Sequence, residues 1–128
     1  MKLLAAVVAA AILSIAGATP AAAADKFGCK YPRVCLYLKK ADWGARKPTA
    51  AYQIKTQDFQ TLGPRARHAY AVYNSRRDDA VLLLLPGRGR DGGDNQICVG
   101  PRKSKVLGAT SKIRGVLIVD EARCDRVR

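Results

Sequence analysis

Proton-transfer chemistry has little to draw on in this sequence. It holds one histidine, His68, and its ten carboxylates include two adjacent pairs, Asp78-Asp79 and Asp120-Glu121, both at predicted strand ends. A hydrolase needs a nucleophile or acid placed beside a base. His68 lies between Arg67 and Ala69, at what reads as the start of a strand, so a protein that is not an enzyme is expected. The same scarcity argues against zinc, since there is no Cys-x-x-Cys spacing to accompany the lone histidine. Aromatic residues make up 6% of the chain, too few for a base-stacking platform, so nucleic acid is not an expected partner. No stretch keeps a helical period through three clean turns. The longest apolar run, Leu3 to Ile15 broken by Ser14, falls short of the roughly 20 residues of a membrane span.

That run has a different meaning. Met1-Lys2 supplies a positive start, the apolar stretch follows, and a small-residue tail ends at Ala22-Ala-Ala24 before Asp25. This is the order of a secretory signal with an Ala-x-Ala cleavage site. A leader over 1–24 and one domain over 25–128 are expected, secreted to the extracellular space with no stable membrane span after cleavage. An exported domain of this size gains from cross-links. Cys29, Cys35, Cys98 and Cys124 read as a disulfide framework. Of three possible pairings, the turn-like Lys30–Arg33 favours Cys29–Cys35, which leaves Cys98–Cys124.

Charge is the other abundance. Lys and Arg number 23 against ten Asp and Glu, for a formal +13; loss of Lys2 with the leader makes it +12. Such a field favours anionic partners, an anionic cell-envelope polymer among them. Arg65, Arg67, Arg76, Arg77, Arg88 and Arg90 would form an anion-binding face if their turns converge, and a dispersed solvated surface otherwise.

Strand signals dominate residues 25–128. Val34–Leu38, Ala69–Tyr73, Ala80–Leu85 and Gly115–Val119 are short runs rich in branched, aromatic or leucine side chains, with weaker runs at Ala51–Lys55 and Gln96–Val99. Turn clusters such as Asp42-Trp-Gly44, Pro86-Gly-Arg-Gly89 and Asp91-Gly-Gly-Asp94 separate them. The pattern repeats, with Leu62-Gly63 and Leu107-Gly108 45 residues apart. Each unit supplies about four short strands, neither buries its apolar face alone, and the polar Ser75–Asp79 joins them. An all-β sandwich with one core is expected.

Cys29-x5-Cys35-Leu-Tyr37 followed by Trp43-Gly44 resembles the opening of secreted actinobacterial proteins of peptidase inhibitor family I36. The resemblance implies a βγ-crystallin-like sandwich of two Greek-key motifs, disulfide-stapled, with Greek key one at about 29–74 and Greek key two at about 80–124. In that reading Tyr37 and Trp43 cover a folded hairpin, and Gly44 takes a conformation that a side chain would obstruct. The second unit departs from the pattern, with Leu84-Leu85 where an aromatic belongs. Calcium-binding members of the fold carry oxygen ligands where this chain has Ala66–Ala71 and Thr110–Gly115. Both stretches are basic, so no calcium, other metal or cofactor is expected.

The function implied by the resemblance is inhibition of a secreted protease, of the thermolysin-like metalloprotease type, by substrate-like occupation of its cleft. Ile97, Cys98, Val99 and Gly100 form the candidate inhibitory loop: Cys98 anchors it, Pro101 stiffens its exit, and Val99 offers an apolar side chain. The same residues also read as a core strand. The alternative function is a cationic binding or antimicrobial module acting on anionic microbial envelopes. A monomer is expected.

Overall fold

The computed structural model describes residues 25–127; the expected leader, residues 1–24, lies outside the described residues. The chain forms β1 (Val34–Tyr37), α1 (Lys40–Gly44), β2 (Ala50–Tyr52), β3 (Gln60–Thr61), β4 (Ala71–Asn74), β5 (Ala80–Arg88), β6 (Asp94–Val99), β7 (Ser104–Val106) and β8 (Gly115–Val119), with 3-10 turns at Ala66–His68 and Cys124–Arg126. These strands make two four-stranded antiparallel sheets, ordered β2-β1-β4-β7 and β3-β8-β5-β6. The protein is an all-β, disulfide-stabilised domain.

The strand order records an exchange between the two halves. Three strands of the first half form one sheet with β7 of the second, and three strands of the second half form the other with β3 of the first. The exchange is reciprocal in its backbone bonds. Leu62, just after β3, donates its N–H to the Arg114 carbonyl at 3.3 Å, and Leu107, just after β7, donates to the Tyr70 carbonyl at 2.7 Å.

Two-residue alternation decides where each side chain goes. Val34 and Leu36 of β1, Val72 of β4, Val81 and Leu83 of β5, Val99 of β6, and Val116 and Ile118 of β8 form one core shared by both sheets. The intervening Cys35, Tyr37, Ala71 and Tyr73 point to the outer face of the first sheet, where Cys29, Phe27, Trp43 and Tyr70 cover them. Both faces of this sheet are therefore buried, which is why β1 and β4 read as continuous apolar runs. The disulfides join Cys29 to Cys35 and Cys98 to Cys124.

The folded hairpin expected around Tyr37, Trp43 and Gly44 takes another form. The Asp42 carboxylate accepts the Lys39 N–H at 3.0 Å and so satisfies a donor at the start of α1. Arg46, at φ 57°, closes the helix: Arg46 N–H bonds to the Trp43 carbonyl and Lys47 N–H to that of Asp42, a Schellman end with arginine where glycine is usual. Gly44 lies inside the helix, and a Cβ added there meets nothing within 4 Å, so this glycine is not required by its backbone. Trp43 packs instead into an aromatic cluster, stacked on Phe27 at 4.5 Å and edge-on to Tyr37 at 4.9 Å. The Tyr37 hydroxyl donates to the Phe27 carbonyl at 2.7 Å. Burial, with a smaller contribution from Tyr73, pushes its pKa up to about 12. The glycine that the packing does require is Gly28, at φ 72°, where a Cβ would lie 2.0 Å from the Arg46 carbonyl oxygen.

Candidate functional site

The segment expected to be an inhibitory loop is a strand. Ile97, Cys98 and Val99 lie in β6, paired with Leu83, Leu82 and Val81 of β5, and Gly100 follows the strand end. Val99 is 3% exposed, and Ile97 packs against the same core. Alternation aims both inward, while Cys98 faces the other way and is tied to Cys124. Val99 cannot enter a protease cleft without opening the core, so a substitution there would report on folding rather than docking.

Other candidates disperse. His68 is exposed at the end of the 3-10 turn Ala66–His68 rather than at a strand start, and β4 begins at Ala71. Thr110–Gly115 contributes a hydroxyl to structure: Ser111 Oγ donates to the Ala69 carbonyl. Among the described residues no three His, Cys, Asp or Glu side chains cluster as metal ligands. The six arginines do not form one face. Arg76 is buried, Arg65, Arg67 and Arg77 line three separate concavities, and Arg88 and Arg90 are exposed at the β5–β6 turn. Their turns belong to different ends of different strands, which linear proximity conceals.

One concavity of about 340 Å³ gathers cations from three parts of the chain. Lys26, Cys29, Tyr31, Tyr73, Ser75, Arg77 and Arg102 line it, and Asp25 is its one carboxylate. The Cys29–Cys35 disulfide and the Ser75 hydroxyl hold its floor; Ser75 Oγ donates to the carbonyls of Arg33 at 2.7 Å and Lys30 at 3.2 Å. The Arg77 guanidinium rests 4.9 Å from the centre of the half-exposed Tyr31 ring, a stacking that orients the cation without neutralising it. Arg102 occupies the third position of a turn, in which Lys103 N–H bonds to the Gly100 carbonyl at 3.2 Å, and its φ is 56°. After Pro101 that position calls for glycine. The turn holds arginine at an energetic disadvantage. Burial raises the Tyr73 pKa, with Arg102 pulling the other way; the phenol therefore stays neutral near pH 7.

No family model, curated protein or solved structure matches this chain. Among the described residues the ion pairs are Lys55–Asp79, Lys55–Asp120, Arg76–Asp79 and Arg123–Asp125. None involves Lys26, Arg77 or Arg102. Three cations against one carboxylate, Asp25, leave the lining with a net positive charge, which an oxyanion would offset while accepting guanidinium hydrogen bonds. Sequence reasoning flagged Arg77 and set Gly100 and Pro101 at the exit of a candidate loop, but missed Lys26 and Arg102. The glycine-proline pair preceding Arg102 was the available signal.

Proposed function

We propose that this chain is a secreted cationic binding module that docks on anionic microbial-envelope polymers through the pocket beside Cys29–Cys35. The observation that carries the reading is that Lys26, Arg77 and Arg102 line one pocket with no ion-pair partner among the described residues. The excess of basic residues adds long-range attraction. We read the architecture as a βγ-crystallin-like sandwich of two Greek keys; the repeat and the reciprocal exchange of β3 and β7 support it. Calorimetric titration with polyphosphate or polyglucuronate at low salt tests the pocket. Arg77→Ala/Arg102→Ala is expected to weaken binding at least tenfold, about 1.4 kcal/mol, and raising the salt to physiological strength to weaken it further. The exposed pair Lys39→Ala/Lys40→Ala serves as the charge-matched control. An equal loss in both variants would reduce the effect to undirected charge and sink the reading.

A second reading, peptidase inhibition, rests on the family resemblance and is favoured by the β5–β6 hairpin. That hairpin continues past a bulge between Leu84 and Arg88 to the pair Arg88↔Asp94. Gly89 N–H bonds to the Gly93 carbonyl at 2.8 Å, and Asp91 accepts the Gly93 N–H at 3.2 Å. A pinned, exposed turn loses little ordering entropy when it enters a cleft. Slowing of a thermolysin-like metalloprotease at micromolar protein, reversed by Arg88→Ala/Arg90→Ala, is the result this reading expects. No slowing removes it.

A further inference from the structure

We infer a second oxyanion site between Arg67 and Arg114, on the opposite sheet from the first pocket, which would make the protein bivalent. The concavity measures about 370 Å³ and is lined by Phe59, Thr61, Arg67, Leu84, Arg114 and Gly115. Arg67 and Arg114, far apart in sequence, both line it because of the strand exchange. Ile113 donates its N–H to the Arg67 carbonyl at 2.7 Å, which locks the two arginine-bearing segments together. Arg114 is held on both sides: its N–H bonds to the Leu84 carbonyl at 2.7 Å, and its own carbonyl accepts the Leu62 N–H.

The heads are partly pre-organised as well. Arg67 Nε donates to the Leu62 carbonyl at 3.0 Å, which fixes the plane of that guanidinium. Among the described residues neither arginine is ion-paired. Thr61 adds a hydroxyl, and Phe59 and Leu84 add apolar wall, which strengthens charge–charge attraction at the mouth. Gly115 lets β3 approach: a Cβ there would lie 3.0 Å from the Phe59 Cβ. The Arg114 fork, the terminal amino groups of Arg67, a hydroxyl and no acid suit one phosphate or carboxylate group.

The site stands on its own geometry; its consequence, the bridging of two polymer segments, rests on the envelope-polymer reading. Linked sites on one chain raise avidity and cross-link long ligands. The test begins with arginine Nε–H signals in a nuclear magnetic resonance titration, using inorganic phosphate in one arm and acetate in the other. Saturable shifts at Arg67 and Arg114 are expected, with the stronger arm naming the anion. Arg67→Lys/Arg114→Lys keeps the charge but not the fork, and affinity is expected to fall at least fivefold with the fold retained. Persistence of full affinity in that variant, or no shift at either arginine in the wild type, overturns the site. The same titration on Arg77→Ala/Arg102→Ala keeps the two pockets separate, since the shifts at Arg67 and Arg114 are expected to survive there. Turbidity with long polyphosphate is then expected for the wild type and lost in the Lys pair, while single-site binding remains. Turbidity that persists in the Lys pair refutes the bridging.

Discussion

Asp79→Ala is expected to lower unfolding stability by about 3 kcal/mol, because removing one partner of a buried ion pair strands the other. Asp79 is 5% exposed and Arg76 9% exposed. Arg76 Nε donates to Asp79 Oδ2 at 2.6 Å, and Lys55 Nζ to Asp79 Oδ1 at 2.9 Å. Arg76 also reaches the carbonyls of Pro32 at 2.8 Å and Gln53 at 3.3 Å, both in the first half. Asn74, fully buried beside it, donates from Nδ2 to the carbonyls of Asp79, Val99 and Gly100, the last two in the second half. Losing Asp79 leaves Arg76 buried without its counter-charge and loosens both halves at once. For a domain of this size the melting temperature is expected to fall by roughly 15 °C. A fall equivalent to less than about 1 kcal/mol would place the pair among surface ion pairs that contribute little.

The same carboxylate carries a pH signature. Burial pushes the Asp79 pKa up, but the hydrogen bonds from Lys55 and Arg76 and their charges outweigh it, and the net value is lowered. A lowered folded pKa stabilises the fold fully above the unfolded value of about 3.9. That stability is lost as pH falls through the folded value. The gap in stability between the wild type and Asp79→Asn should therefore be constant near neutrality and close in acid. A gap that widens in acid would reverse the assignment.

Gly28→Ala is expected to be as damaging, at about 3 kcal/mol, while Gly44→Ala is neutral or stabilises by roughly 0.5–1 kcal/mol. At Gly28 two penalties coincide. The positive φ disfavours any Cβ, and the added atom would overlap the Arg46 backbone oxygen at 2.0 Å. Relief requires either the Phe27–Gly28 turn or the end of α1 to move, and that would pull Phe27 off Trp43 and Tyr73. Gly44 has open space and sits in a helix. Thermal melts of the two variants side by side decide it: equal effects would remove the close approach from the account.

Much of the secondary structure was legible because it depends on local pattern. The strong runs at Val34–Leu38, Ala80–Leu85 and Gly115–Val119 coincide with β1, β5 and β8, since branched and leucine-rich stretches bounded by turn residues have few other ways to bury themselves. Of the weaker runs, Ala51–Lys55 became the shorter β2 at Ala50–Tyr52, while Gln96–Val99 lies within β6 at Asp94–Val99. Two-residue β3 and the wholly exposed β7 carry no apolar signature of their own; their pairing partners define them. The five-residue α1 was also hidden, being too short to show a period and stabilised by Asp42 and its Schellman end.

The sequence by itself determined an all-β character, a basic surface, a 45-residue repeat and a preference for joining Cys29 to Cys35 across a short turn, because each depends on composition or on neighbours along the chain. Only the tertiary structure decided which sheet each third strand joins. It decided between the two readings of Ile97–Gly100, inhibitory loop and core strand, by placing Ile97–Val99 in β6 against the core. It also made Ser75–Asp79, which reads as a polar linker, a largely buried clasp between halves. Lys26, Arg77 and Arg102 in one pocket, and Arg67 beside Arg114 in another, are juxtapositions of the same kind. The reason is physical: hydrophobic alternation tells a side chain which way to face, but the partner it faces is chosen by long-range packing.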